Sequence, residues 1–261
     1  MKKLTVLAVA LALCIPSLLQ ADTFSLRLGY FWPMPPTNIV SHPNSLWAIE
    51  LDQMSFQKSD FRAAIYGASY ERFLTNQLSI SISIDTYSKD NVGYYLDWVG
   101  LPFVEGDFAA PAADYLSDPE AFDVLHTFNV SMIPLTLSLT LTPLGRRTRI
   151  IPYVGGGGGV YFWRVRMRGE IIDFNDEYIY DDPVLGEVSI YPIQPINARE
   201  SHASLGAQVF AGIRVPLGYR VTLEAQGLYH FVKGKLTGAF LDFDKFDLSG
   251  LAITGAFNYW F

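Results

Sequence analysis

The residues able to do chemistry are few. His202 and Ser204 stand two apart, the spacing that puts a base and a nucleophilic hydroxyl on one face of a strand. Arg164, Arg166 and Arg168 repeat that spacing. They would line one strand face with guanidinium groups, as an anion site, a pore constriction or half of an ion-pair network with Glu71, Asp85 and Glu224. Asp173-Phe-Asn175-Asp176-Glu177 with Asp181-Asp182 opens like a calcium loop. Tyr178 occupies the position that needs glycine, however, and Val184 the twelfth position, so a solvated acidic loop is the simpler reading. The run Gly155 to Gly159 lacks the Gly-Lys-Ser/Thr of a phosphate loop, and Val160, Tyr161 and Phe162 stand where a dinucleotide pattern needs glycine. Glycines there suit a curved, crowded strand. His42, His126 and His230 show no metal-ligand spacing, and no cofactor motif is present.

Strands must position these groups. Leu78, Ile80, Ile82 and Ile84 alternate with Ser79, Ser81, Ser83 and Asp85, a period of two. The same alternation predicts strands over 23–32, 61–73, 124–142, 150–168, 201–215, 219–231 and 251–261, giving eight in all. In 124–142, Phe128, Val130 and Met132 fall on even positions and Leu135, Leu137, Leu139 and Leu141 on odd ones. That slip at Ile133-Pro134 reads as a β-bulge. The connections alternate long and short, with 88–123 and 169–198 read as acidic loops. Long connections at one rim and turns at the other describe an antiparallel up-and-down barrel.

Charge placement bears on which face is outside. The apolar faces of the assigned spans carry no charge at their centres, while Arg27, Glu71, Asp85, Arg164, Arg166, Arg214 and Glu224 fall on the opposite faces. A Lys or Arg facing lipid at mid-bilayer costs roughly 2–4 kcal/mol. A water-facing surface would in turn be about 25–35% charged, whereas these polar faces are mostly Ser, Thr, Gly and Ala. The expectation is that the apolar faces meet hydrocarbon and the seven charged residues form a network in the lumen. Tyr30, Trp32, Tyr66, Tyr70, Trp163, Tyr229 and Tyr259 would form aromatic girdles.

Met1-Lys2-Lys3, an apolar run from Leu4 to Ile15 and Ala21 match a secretory signal peptide cleaved after Ala21. The apolar run is shorter than the roughly 20 residues a membrane helix needs. The one cysteine, Cys14, lies within it and follows Leu13, which does not suit lipidation. Loss of Lys2 and Lys3 from 19 basic residues leaves 17 against 26 acidic ones, a net −9, so no nucleic-acid footprint is present. Residues 22–261 read as one domain. No segment of it suits a membrane helix, and a closed barrel is the other structure that satisfies backbone polar groups in lipid.

The terminal strand ends Phe257-Asn-Tyr259-Trp-Phe261, with apolar side chains on alternate positions. It resembles the last strand of bacterial outer-membrane β-barrels, where such a pattern is the signal read by the barrel-insertion machinery; the resemblance carries that role to Phe257, Tyr259 and Phe261. Leu26-Arg-Leu-Gly-Tyr30, Ile133-Pro134-Leu135 and Pro152 to Tyr161 resemble the small outer-membrane barrels related to outer-membrane proteins A, X and W. The resemblance spans the mature chain, without the peptidoglycan-binding domain that protein A carries after its barrel. It implies an all-β, eight-stranded antiparallel transmembrane barrel with four long extracellular loops, porin-like in fold and monomeric. Its partners would be membrane lipid, lipopolysaccharide (through divalent cations at the acidic loops) and the insertion machinery. The expected function is structural and surface contact without enzymatic activity. A small channel for apolar molecules is one alternative. A lipid A deacylase is the other, since those enzymes resemble the His202-Ala-Ser204 arrangement, although Leu205 replaces the Asn that normally follows.

Overall fold

The computed structural model describes residues 22–33, 55–56, 58–94, 108–110, 125–172, 176, 178–183, 186–237, 240 and 246–261. The expected signal peptide and its cleavage site, His42, and most of the acidic stretches around 95–124 and 173–177 lie outside the described residues.

Eight long strands form the wall: β1 (Asp22–Pro33), β2 (Ala63–Phe73), β3 (Leu78–Tyr94), β4 (Leu125–Leu141), β5 (Ile151–Ile172), β6 (Gly186–Pro216), β7 (Val221–Gly234) and β8 (Gly250–Trp260). Each pairs antiparallel with its chain neighbours. β1 closes the ring on β8, with Leu26 opposite Phe257 and Tyr30 opposite Ile253. Asp22 and Phe261 exchange backbone hydrogen bonds of 3.1 and 3.0 Å at the seam. Every barrel strand thus has a partner on each side and the ring is closed, the solution that satisfies backbone groups without an open sheet. β3 beyond Tyr87 and β6 before Gly206 extend past their pairing with β2 and β7. The short turns sit beside the termini. In one of them Gly145 adopts φ +68°, a left-handed conformation that glycine takes without steric cost.

The cross-strand registers divide the wall into two zones. Rows running β3-β4-β5-β6 on the outer face read Leu78-Leu141-Val154-Ala211, Ile80-Leu139-Gly156-Val209, Ile82-Leu137-Gly158-Ala207 and Ile84-Leu135-Val160-Leu205. These rows are apolar and open to the surroundings; Leu137 is 56% and Leu205 84% exposed. Ile133, Phe162 and Ala203 continue the belt. The next rows outward are Ser88-Ser131-Arg164-Ser201, Asp90-Asn129-Arg166-Arg199 and Val92-Thr127-Arg168-Asn197. On β4 the apolar outer side chains run from Leu141 to Ile133, within the 9–11 residues of a tilted membrane strand.

The interior inverts in step. Inside the belt lie Ser25, Ser79, Ser83, Thr136, Ser138 and Gln208, all buried. Inside the polar rows lies an apolar plug that includes Phe31, Phe61, Phe128, Met132, Tyr161 and Trp163. Its rings meet edge to face: Phe31 on Tyr87 at 4.8 Å and Phe61 on Phe128 at 5.7 Å between centroids. Each such buried side chain contributes about 1.5–3 kcal/mol. The upper barrel therefore has the polarity of a water-soluble protein and the lower barrel the reverse.

This inversion corrects three expectations. There is no bulge at Ile133-Pro134, because the register of β4 on β5 is unbroken from His126 opposite Gly169 to Leu141 opposite Val154. The apolar residues change parity there because they change from inside to outside. Trp163 is 2% exposed and belongs to the plug rather than a girdle. Strands also extend through segments read as loops, β3 to Tyr94 and β6 back to Gly186, with the short strand Tyr178–Asp182 on β6.

Candidate functional site

The charged layer inside the belt is built from five strands. β1 points Arg27 inward and β3 points Asp85 inward in the same row, and their side chains pair at 3.1 Å across Gly67 of β2. β6 points Arg214 between two carboxylates, Glu71 of β2 at 2.8 Å and Glu224 of β7 at 2.6 Å. All five side chains are nearly shielded from solvent, with exposures of 3–9%. Neutral donors complete the coordination: the Tyr153 hydroxyl and the Asn258 amide donate to Glu224 at 2.7 and 3.0 Å, and the Ser79 hydroxyl donates to Glu71. The Arg214 guanidinium also lies 4.6 Å from the centre of the Tyr153 ring. Buried charges persist only when paired and hydrogen-bonded in this way. Tyr153 and Asn258 are absent from the sequence-level site; their inward parity on β5 and β8 was the signal that could have included them.

The space left among these groups is about 20 Å³, room for roughly one water. At this level the barrel is filled by its own side chains, as befits an eight-stranded closure.

Two expected members are elsewhere. Arg164 and Arg166 project from the outer face of β5, not into the lumen, because the inward positions there belong to Tyr161, Trp163, Val165 and Met167. They do not reach Glu71, Asp85 or Glu224; Arg164 donates to Ser201 Oγ at 3.3 Å and Arg166 to Asn197 Oδ1 at 3.2 Å. Arg168 shares their face. Sequence reading grouped all the arginines by strand parity alone, and parity cannot report where inside and outside exchange apolar character.

His202 and Ser204 both point inward, beside the plug, and are not bonded to each other. His202 Nε2 lies 2.9 Å from Glu200 Oε1, and Ser204 Oγ accepts from the Trp163 indole at 2.9 Å. Thr237 donates its backbone N–H to the same Glu200 oxygen at 2.7 Å. Burial alone would raise the Glu200 pKa, but the bonds from Thr237 and His202 outweigh it and hold the carboxyl below its ordinary value. The cluster fastens the chain around Thr237 to β6; it does not present a hydroxyl activated by a base. Among the described residues no group of three His, Cys, Asp or Glu could hold a metal ion.

Phe257 and Tyr259 of β8 and Phe261 just after it all face outward. Tyr259 and Phe261 stack with centroids 6.4 Å apart, and Tyr70 lies beside Phe261, also at 6.4 Å. At the opposite edge, Tyr30 meets Trp32 at 5.0 Å and Tyr229 meets Phe231 at 4.7 Å. Aromatic side chains thus border the belt at both ends, where an amphipathic ring is at home between hydrocarbon and water.

No family model and no curated protein matches the chain. Solved structures of similar shape include the attachment invasion locus protein Ail of Yersinia pestis, with 12% identity over 93% of this chain and 99% of that one and a TM-score of 0.41. Neisserial surface protein A has 10% identity over 92% and 97%, with a TM-score of 0.42. Outer membrane protein W of E. coli has 12% identity over 94% and 100%, with a TM-score of 0.40. Likeness this remote adds nothing to a barrel already traced from its registers.

Proposed function

We propose that this protein is an integral β-barrel of the bacterial outer membrane, with a closed lumen and a structural and surface-contact role rather than an enzymatic one. The observation that carries the reading is the belt: four successive rows of aliphatic side chains and glycine cross β3 to β6 on the outside, while paired charges lie directly behind them. Left in water, such a belt would be an apolar patch far beyond what soluble proteins expose. Against hydrocarbon it costs nothing, and the charges behind it stay out of lipid.

The small space at the charged layer and the aromatic plug above it favour a barrel that anchors over one that conducts. The bonds of His202 and Ser204 to Glu200 and Trp163 weigh against a deacylase-type site. The outward aromatic side chains of Phe257, Tyr259 and Phe261 support handling by the barrel-insertion machinery. The test is refolding into lipid vesicles, followed by comparison of gel mobility before and after boiling and by conductance in planar bilayers. A boiling-dependent mobility shift without stepwise conductance is expected. Unchanged mobility with release by urea would overturn the membrane reading, and stepwise conductance would overturn the closed lumen.

A further inference from the structure

Just above the belt, the outer wall of β5 and β6 gathers four arginines. Arg166 and Arg199 are direct cross-strand partners, and Arg164 and Arg168 flank Arg166 two residues to either side on the same face. Like charges directly opposite one another on a sheet destabilise it unless something neutralises them. Within the described residues Arg164 and Arg166 donate to neutral groups, Ser201 and Asn197. Arg166 Nε is shielded from solvent with no hydrogen-bond partner there. Among the described residues, two carboxylates share this face: Glu170, two residues beyond Arg168 on β5, and Asp90, two strands from Arg166 in the same row, which already accepts from Asn129 Nδ2 at 2.6 Å.

The surface around them is concave. A recess of about 460 Å³ has the four arginines in its lining, with Thr127, Asn129 and a single carboxylate, Asp90, which Asn129 engages. Directly below it lies a second recess of about 290 Å³, whose lining includes Ile133, Phe162 and Ala203. The two share Ser131, Ile133 and Arg164. A cationic pocket thus opens onto a mainly apolar one at the edge of the belt, the sequence of environments an anionic lipid presents in reverse.

We propose that this wall binds the phosphate groups of an anionic lipid of the surrounding leaflet, with Arg164, Arg166, Arg168 and Arg199 on the phosphates and the apolar recess against the acyl chains. The inference rests on the membrane reading above. Guanidinium groups suit the task because their planar donor forks match phosphate oxygens two at a time, and a phosphate between Arg166 and Arg199 removes the repulsion across β5 and β6. A free phosphate ion would use the cationic recess alone; the apolar recess beneath selects a lipid.

The test uses the full barrel refolded into neutral phosphatidylcholine nanodiscs. These are titrated with a bisphosphorylated acylated glucosamine lipid, with its dephosphorylated form and with inorganic phosphate, and bound lipid is read by native mass spectrometry. Arg166→Gln/Arg199→Gln is compared with Arg62→Gln/Lys235→Gln, which removes the same charge from other exposed positions. The phosphorylated lipid is expected to bind at least about tenfold more tightly than the dephosphorylated one, a margin one charged hydrogen bond supplies. That margin should vanish in the Arg166/Arg199 variant and survive in the control. Equal binding of the two lipids, equal loss in both variants, or inorganic phosphate displacing the lipid at matched concentration would each overturn the proposal. Boiling-dependent mobility, measured on every sample, separates the two claims: a barrel that never inserts refutes the membrane reading, and one that inserts without headgroup preference refutes this inference alone. Should the double variant fail to insert, Arg168→Gln alone carries the test with the same expected direction.

Discussion

Arg214→Met should be among the most damaging single substitutions in the lower barrel. One guanidinium serves two carboxylates there, Glu71 at 2.8 Å and Glu224 at 2.6 Å, with side-chain exposures of 8%, 3% and 5%. Methionine fills a similar volume, so the loss is electrostatic rather than a cavity. Removing one member of a buried pair costs about 3–5 kcal/mol because the survivor stays buried and charged. That is a fall of roughly two to three and a half powers of ten in the folding equilibrium constant. Tyr153 and Asn258 would still donate to Glu224, which favours the lower half of that range over complete unfolding. The assay is reversible urea unfolding in lipid vesicles, followed by tryptophan fluorescence and by mobility of unheated samples. Adding Glu71→Gln and Glu224→Gln to Arg214→Met removes the stranded charges and should recover most of the loss. A loss below about 1 kcal/mol for Arg214→Met, the range of a solvent-exposed pair, would refute the reasoning. So would a triple variant no more stable than the single one.

Other substitutions probe the wall and the plug. Gly159→Ala should prevent stable closure, since its Cβ would fall 2.0 Å from the Leu135 carbonyl oxygen, whereas at Gly156 the nearest atom is 3.2 Å away and Ala should be tolerated; yields of the heat-modifiable form compare them. Leu137→Arg should cost roughly 2–4 kcal/mol in vesicle unfolding, and Ser131→Arg, above the belt on the same strand, less than about 1 kcal/mol. Glu200, with its pKa held below the ordinary value, contributes stability that is complete above the usual carboxylate range and lost as pH falls through its lowered pKa. Glu200→Gln should therefore lower the stability of the upper barrel near neutrality, flatten the acid limb of its unfolding profile and converge on the parent protein at low pH.

The lower barrel is legible in the sequence because one rule covers it. Along 78–85 and 135–141 every second residue is aliphatic, and the opposite face is hydroxyl-rich with a rare charge, so parity sorts both faces at once. Arg27, Glu71, Asp85, Arg214 and Glu224 fall on the inward parity for the same reason, and the structure joins them in two clusters. Above the belt the rule reverses. Phe128, Val130 and Met132 are as apolar as Leu135 and Leu137 yet point the opposite way, and a slipped register is the natural, mistaken account of such a change. Arg164 and Arg166 are misplaced by the same error. Periodicity reports that a strand has two faces; it carries no mark of the height at which lipid gives way to water. The pairing of Tyr178–Asp182 on β6 is hidden for a related reason, since strands standing in water on their outer face carry the Asp, Glu and Tyr that read as loop.

The belt itself is open to direct measurement. The only cysteine in the chain is Cys14, so single cysteines introduced from residue 22 onward can carry a nitroxide without interference once residues 1–21 are omitted. Labels at Ile82, Leu137 and Val209 should collide with oxygen dissolved in the bilayer and hardly with a water-soluble nickel chelate. Labels at Ser88, Ser131 and Ser201, three or four rows higher on the same strands, should show the opposite preference. Nickel reaching both sets equally, or neither reagent reaching Leu137, would mean that the aliphatic rows do not face hydrocarbon.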